Sequence, residues 1–155
     1  MKNILGIIPA RYASTRFPGK PLIDIGGKSM IQRVYEQCKK TEILADVIVA
    51  TDDERIAAHV MAFGGKVVMT ADTHQSGTDR CAEVVSKYEG QCDAVINIQG
   101  DEPFIDPKQI EFLASAFSNE STQIATLIKK ISSEDDVRNP NVVKAIANKN
   151  GQAIY

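Results

Sequence analysis

Tryptophan is absent from this chain, and aromatic side chains make up only 6% of it. With a net charge of -2, a pI near 5.7 and no basic face interleaved with aromatics, the chain is a poor fit to nucleic acid. Cysteine is scarce and odd in number: Cys38, Cys81 and Cys92. They form no Cys-x-x-Cys and stand at no metal-ligand spacing from His59 or His74. A disulfide framework and a zinc site are therefore excluded, and reduced thiols are expected. No apolar run approaches the roughly eighteen residues of a membrane span, and no charged-then-apolar leader opens the sequence. Neither secretion nor membrane insertion is expected, and the expected location is the cytoplasm. Also missing are the Gly-x-Gly-x-x-Gly fingerprint of dinucleotide oxidoreductases, a Ser-His-Asp order and a reactive-cysteine context. Gly26-Gly27-Lys28-Ser29 matches only the end of a phosphate-binding loop, whose first glycine would fall on Leu22, and is read as a turn into a helix. His59 lies within a helical pattern and is read as a packed or surface residue, not a base.

What is present is an ordinary globular balance, 43% hydrophobic and 25% charged over 155 residues, which suits one compact α/β domain. Strand-like runs at Ile4–Ile8, Asp46–Ala50, Lys66–Met69, Ala94–Ile98 and Ile124–Ile131 alternate, over the first four, with helical patterns at Ser29–Lys40, Asp53–Phe63 and Thr78–Tyr88. The series predicts a mostly parallel twisted sheet with right-handed crossovers and helices on both faces. Asp52 or Asp53 is placed to cap the second helix and Gly64-Gly65 to end it, and Asp106-Pro107 reads as an N-cap followed by proline at the first helical position. Asn141–Ala147, Asn148-Lys149-Asn150-Gly151 and Gln152–Tyr155 read as a hairpin about an Asn-Gly turn. A chain that stops inside such a hairpin is expected to be the N-terminal part of a longer protein.

Charge is unevenly spread. The first carboxylate is Asp24, whereas Lys2, Arg11, Arg16 and Lys20 precede it. The last three sit on a loop directly after an apolar run that reads as a strand buried on both faces, which is where open α/β sheets bind ligands. Ala13, Ser14, Pro18, Gly19 and Pro21 let backbone N–H groups approach an anion while limiting the loop's freedom. Arginine offers a planar fork to phosphate and lysine a point charge, a combination suited to a triphosphate or pyrophosphate. The bland alternative is a solvated basic loop.

Two further motifs fall on the same edge. Ala94–Ile98 leads into Gln99-Gly100-Asp101-Glu102-Pro103, so Asp101 lies just past a strand end, where one carboxylate can hold Mg²⁺ beside phosphate oxygens. The alternative is that Asp101 and Glu102 only shape the turn before Pro103. His74-Gln75-Ser76-Gly77-Thr78-Asp79-Arg80 opens a helix, with Ser76 and Asp79 at capping-box-like spacing. On the residues alone it is a helix cap, a nucleotide-recognition loop, or both.

Taken together, Ile8-Pro9-Ala10-Arg11-Tyr12-Ala13-Ser14-Thr15-Arg16-Phe17-Pro18-Gly19-Lys20-Pro21-Leu22, the His74–Arg80 motif and Gln99–Pro103 resemble, in order, the 3-deoxy-manno-octulosonate (Kdo) cytidylyltransferases. The resemblance runs from about Ile4 to Tyr155. It implies a Rossmann-like fold of the nucleotide-diphospho-sugar transferase type and the reaction CTP + Kdo → CMP-Kdo + diphosphate, which supplies activated Kdo for lipopolysaccharide. It further implies CTP contacts from Pro9, Ala10, Arg11, Lys20, His74, Ser76 and Gly77 and phosphate stabilisation by Arg11, Arg16 and Lys20. Mg²⁺ on Asp101, a Kdo contact from Gln99 and a homodimeric whole protein complete what it implies. A second metal-binding aspartate and most of the sugar site are expected beyond Tyr155. Two rivals stand beside this reading: a cytidylyltransferase for another acidic sugar such as sialic acid, and a CTP-binding module without turnover.

Overall fold

The computed structural model describes residues 2–13 and 17–155; Arg16, one of the expected site cations, lies outside them. The chain divides into two compact units, Met1–Gln123 and Ile124–Tyr155. The first is built on strands β1 (Ile4–Ala10), β2 (Leu44–Thr51), β3 (Lys66–Met69) and β4 (Ala94–Asn97). They lie in the order β3-β2-β1-β4, and every neighbouring pair is parallel.

Alternation along the strands decides which face each side chain enters. Ile4, Ile8 and Ala10 of β1 and Val47 and Val49 of β2 join one core, while Leu5 and Ile7 of β1 and Ile48 and Ala50 of β2 join another. The first core is closed by Ile31 and Val34 of α1 (Met30–Cys38), Ile56 and Val60 of α2 (Glu54–Ala62), and Ile110 and Ala114 of α4 (Pro107–Ser115). The second is closed by Cys81 and Val84 of α3 (Gly77–Lys87). Helices thus cover both faces, as expected, and the strands carry apolar runs because both faces are buried. The chain steps from β1 outward to β2 and β3, then returns to the other edge of β1 to form β4. A right-handed crossover in that reversed direction puts its helix on the opposite face, which is where α3 packs.

Local signals set the boundaries. Ser29 caps α1 by accepting the Gln32 N–H at 3.2 Å, Asp53 caps α2 through Arg55 N–H at 2.9 Å, and Asp106 caps α4 through Lys108 N–H at 3.0 Å, with Pro107 at the first helical position. Gly64, at φ 79°, ends α2 in a left-handed conformation that other residues adopt at a cost. Burial pushes the thiols of Cys38 and Cys81 up, to about 12 and about 11, so both are inert packing groups.

The expected strand Ile124–Ile131 is not formed. Its β-branched residues have strand propensity, but among the described residues no backbone ladder partners this stretch, and Ile124 and Ile128 are exposed. Propensity of that kind measures fit to a half-buried pleated surface and does nothing without one. The second unit instead holds α5 (Glu134–Arg138) and the expected hairpin turn. There Asn148 N–H bonds Gln152 O at 2.8 Å, Ala147 faces Ala153 in an antiparallel bridge, and Gly151 takes φ 79°.

Ile8 is fully buried in the first core. Ile8→Ala is expected to cost about 2–5 kcal/mol, read as a lowered urea midpoint with an unchanged slope.

Candidate functional site

Strand order reverses at β1, and a crevice outside the carboxyl ends of the strands at such a switch point is the usual ligand site of an open α/β sheet. The crevice is present as an open cleft of about 180 Å³ lined by Pro9, Ala10, Arg11, Lys20, Pro21, Met30, Gln99, Gly100 and Asp101. Pro9, Ala10, Arg11, Lys20, Gln99 and Asp101, drawn from both the basic loop and the acidic turn, therefore meet in one place.

Glycine makes this convergence possible. A Cβ on Gly100 would stand 3.0 Å from the Pro9 carbonyl oxygen, and one on Gly77, at the start of α3, would stand 3.1 Å from Pro9 Cγ. Both motifs thus press backbone against the same proline at the end of β1. The loop after β1 is closed at its neck: Gly19 N–H bonds Tyr12 O at 2.9 Å, and Gly19 turns at φ 72° against the Tyr12 ring. Arg55 of α2 lies over that ring, its Cζ 3.3 Å from the centroid, and is held by both oxygens of Asp53 at 2.9 and 2.6 Å.

The cleft carries opposite charges within reach of each other. Lys20 Nζ donates to Asp101 Oδ2 at 2.7 Å, with side-chain exposures of 38% and 53%. A pair this open to water is worth only about 0–1 kcal/mol. A phosphate can draw off the ammonium, and a cation can take the carboxylate, with little lost. Among the described residues no cluster of three or more His, Cys, Asp or Glu stands ready to hold a metal. One carboxylate fits Mg²⁺ where phosphate oxygens and waters supply the remaining positions, and it does not make a protein-only cage.

The middle motif borders the cleft without lining it. Ser76 and Asp79 form a reciprocal capping box: Asp79 N–H donates to Ser76 Oγ at 3.1 Å, and Ser76 N–H and O–H donate to Asp79 Oδ2 at 3.2 and 2.7 Å. Those bonds from Ser76 hold the Asp79 carboxyl below its ordinary value. His74 meets the basic loop through its backbone, where its carbonyl accepts Arg11 Nη2–H.

Several polar contacts behind the cleft were not anticipated from the sequence. Arg80, fully buried on α3, donates from Nη1 to Thr70 Oγ1 and from Nη2 to Asp52 Oδ2 at 3.0 Å, while its Nε has no partner among the described residues. Glu83 Oε2 accepts Ala71 N–H at 2.9 Å and His74 Nε2–H, and its Oε1 takes Lys87 Nζ at 2.6 Å. His59 Nε2 lies 2.7 Å from Ser29 Oγ, which confirms a packed histidine. The available signal was the spacing of Arg80, Glu83 and Lys87 along one stripe of α3, a pattern that usually marks a solvated face.

The Lys87 contact, then the bonds from Ala71 and His74, hold the Glu83 carboxyl down at about 2. A carboxyl lowered on folding stabilises the fold above its unfolded value, near 4.3. That stabilisation is lost as pH falls through the folded value. Glu83→Gln is therefore expected to flatten the acid limb of the stability profile between about pH 4.3 and 2, measured by circular dichroism across an acid titration.

A family model described as Cytidylyltransferase matches residues 5–155. A Parabacteroides distasonis protein named 3-deoxy-manno-octulosonate cytidylyltransferase is 57% identical over 100% of this chain and 62% of its own length. A Geobacter metallireducens protein of the same name is 51% identical over 99% of this chain and 60% of its own. The solved structure of a CMP:2-keto-3-deoxy-manno-octonic acid synthetase complexed with CTP superposes with a TM-score of 0.94 at 46% identity, covering 99% of this chain and 63% of that one. The 4-diphosphocytidyl-2C-methyl-D-erythritol synthase of Anaerococcus prevotii, at 15% identity and a TM-score of 0.60, shares the fold. The chain thus spans about three fifths of the length of the relatives it matches.

Proposed function

We propose, because this chain belongs to the cytidylyltransferase family, that the whole protein activates Kdo: CTP + 3-deoxy-D-manno-octulosonate → CMP-Kdo + diphosphate. The observation that carries the proposal is the switch-point cleft, where Arg11, Lys20 and Asp101 meet against a strand end that two glycines allow other backbone to approach. In the reaction the anomeric hydroxyl of Kdo attacks the α-phosphorus in line, losing its proton as the bond to the β-phosphate oxygen breaks and diphosphate departs.

Each side chain has a task that its position suits. Arg11 and Lys20 bind the triphosphate and offset the charge that builds on it, and Arg16, which stands between them in the sequence, is assigned to this set. Lys20 gives up its exposed pairing with Asp101 to do so. Pro9, Ala10, Ser76 and Gly77 hold cytosine and ribose through small surfaces and backbone groups, and His74 supports them. An incorrect base leaves such polar groups unpaired, which is costly. Gln99, on the cleft wall, orients the sugar acid. Asp101 would hold Mg²⁺, which neutralises phosphate charge when bound. Catalysis is then positioning plus electrostatics, without a covalent enzyme intermediate.

The proposal extends to a homodimeric whole protein and a cytoplasmic location; in support of the latter, no helix among the described residues is long and apolar enough to cross a membrane. Diphosphate release by the whole protein from CTP and Mg²⁺ is expected with Kdo and not with sialic acid or without sugar. Lys20→Ala and Asp101→Ala are each expected to slow it about 10²–10³-fold with unchanged circular dichroism. A near-normal Asp101→Ala rate sinks the metal assignment, and release with sialic acid moves the acceptor to that sugar.

A further inference from the structure

The connection from β3 to α3, residues 70–76, has no regular secondary structure, yet it carries the carbonyl on which Arg11 rests. What fixes it is a stripe on α3. Residues three, four and seven apart share one side of a helix, and Arg80, Glu83 and Lys87 use that side to grip the connection. Lys87 Nζ donates to Met69 O at 3.0 Å, Arg80 holds Thr70 Oγ1, and Glu83 holds both Ala71 N–H and His74 Nε2–H. The two Glu83 bonds end on one oxygen, Oε2, so a single atom pins both ends of the stretch 71–74. Lys87 Nζ, 2.6 Å from Oε1, keeps the other oxygen in place.

An ionised carboxylate only accepts, so the His74 proton sits on Nε2 and the ring cannot turn without breaking that bond. With the ring fixed, the His74 carbonyl is aimed at Arg11 Nη2, and Arg11 lines the cleft. Each link is a charge-assisted bond or involves an ion, the kind that best holds a direction. The chain Lys87–Glu83–His74–Arg11 therefore runs from the end of α3 to a cation that lines the cleft.

We propose that Glu83 is a positioning residue for nucleotidyl transfer: acting through His74, it sets the angle at which the Arg11 guanidinium meets the phosphates of CTP. The inference rests on the cytidylyltransferase reading above. It adds a residue that touches no substrate, and it predicts a dependence that a merely structural role lacks, because the effect of Glu83 must vanish when Arg11 can no longer use its fork.

The test is a double-mutant cycle in the whole protein, read as the CTP dissociation constant by calorimetry in the presence of Mg²⁺, with thermal midpoints recorded alongside. Glu83→Ala is expected to weaken CTP binding about 10-fold. Glu83→Gln, which keeps an oxygen for Ala71 and His74, stays within about twofold. In an Arg11→Lys background, where the Nη2–H that grips the His74 carbonyl is gone, Glu83→Ala adds less than about twofold. An undiminished effect of Glu83→Ala in that background, or no effect in the parent, overturns the inference while leaving the function intact. Failure of the parent protein to bind CTP overturns the functional reading itself.

Discussion

Strand β1 is hydrogen-bonded on both edges, to β2 on one side and β4 on the other, and is covered by helices on both faces. β2 is also bonded on both edges, to β1 and β3, but the strand order reverses only at β1. Because the chain leaves β1 in one direction and comes back in the other, the two halves of the cleft, the loop after β1 and the turn after β4, meet at neighbouring strand ends. Pro9 stands at that point, with no N–H to leave unsatisfied, and accepts the close approach of two glycine-led turns. A side chain at Gly77 or Gly100 would drive one wall away from the other, so the site's width is set by backbone contact and not by the charged residues it displays.

Charge is then arranged in two tiers. At the surface of the cleft, Lys20 and Asp101 are paired loosely enough that incoming groups can separate them. Behind it, Arg80 is fully buried and spans Thr70 and Asp52, tying the ends of β2 and β3 to α3. A buried guanidinium is costly unless its donors are met, and two of its nitrogens are. The loose tier suits exchange of ligands, and the tight tier keeps the frame from moving when exchange occurs.

Much of this was legible in the sequence. Ile4–Ile8 read as a doubly buried strand because both of its alternating faces are apolar, and Asp106-Pro107 and Ser76–Asp79 announced their helix starts through the chemistry of capping. The cleft was legible because Arg11, Lys20 and Asp101 all follow strand ends, and parallel strands send their carboxyl ends to one edge. The failed strand Ile124–Ile131 shows the limit: β-branched residues describe a surface that suits a ladder and cannot supply the neighbouring strand. Glu83 was illegible for a related reason. On a helix its spacing from Arg80 and Lys87 looks like a solvated stripe, and only the fold of residues 70–76 back over α3 converts it into a clamp.

Cys38 on α1 and Cys81 on α3 lie in the two separate cores, one beneath each face of the sheet, with thiols too weakly acidic to react while the helices are docked. Each is therefore a chemical clock for its own layer. The rate at which an alkylating reagent modifies one or the other measures how often that face of the sheet opens, and a difference between the two rates would separate the motions of the α3 side, which carries the clamp on the nucleotide loop, from those of the α1 side.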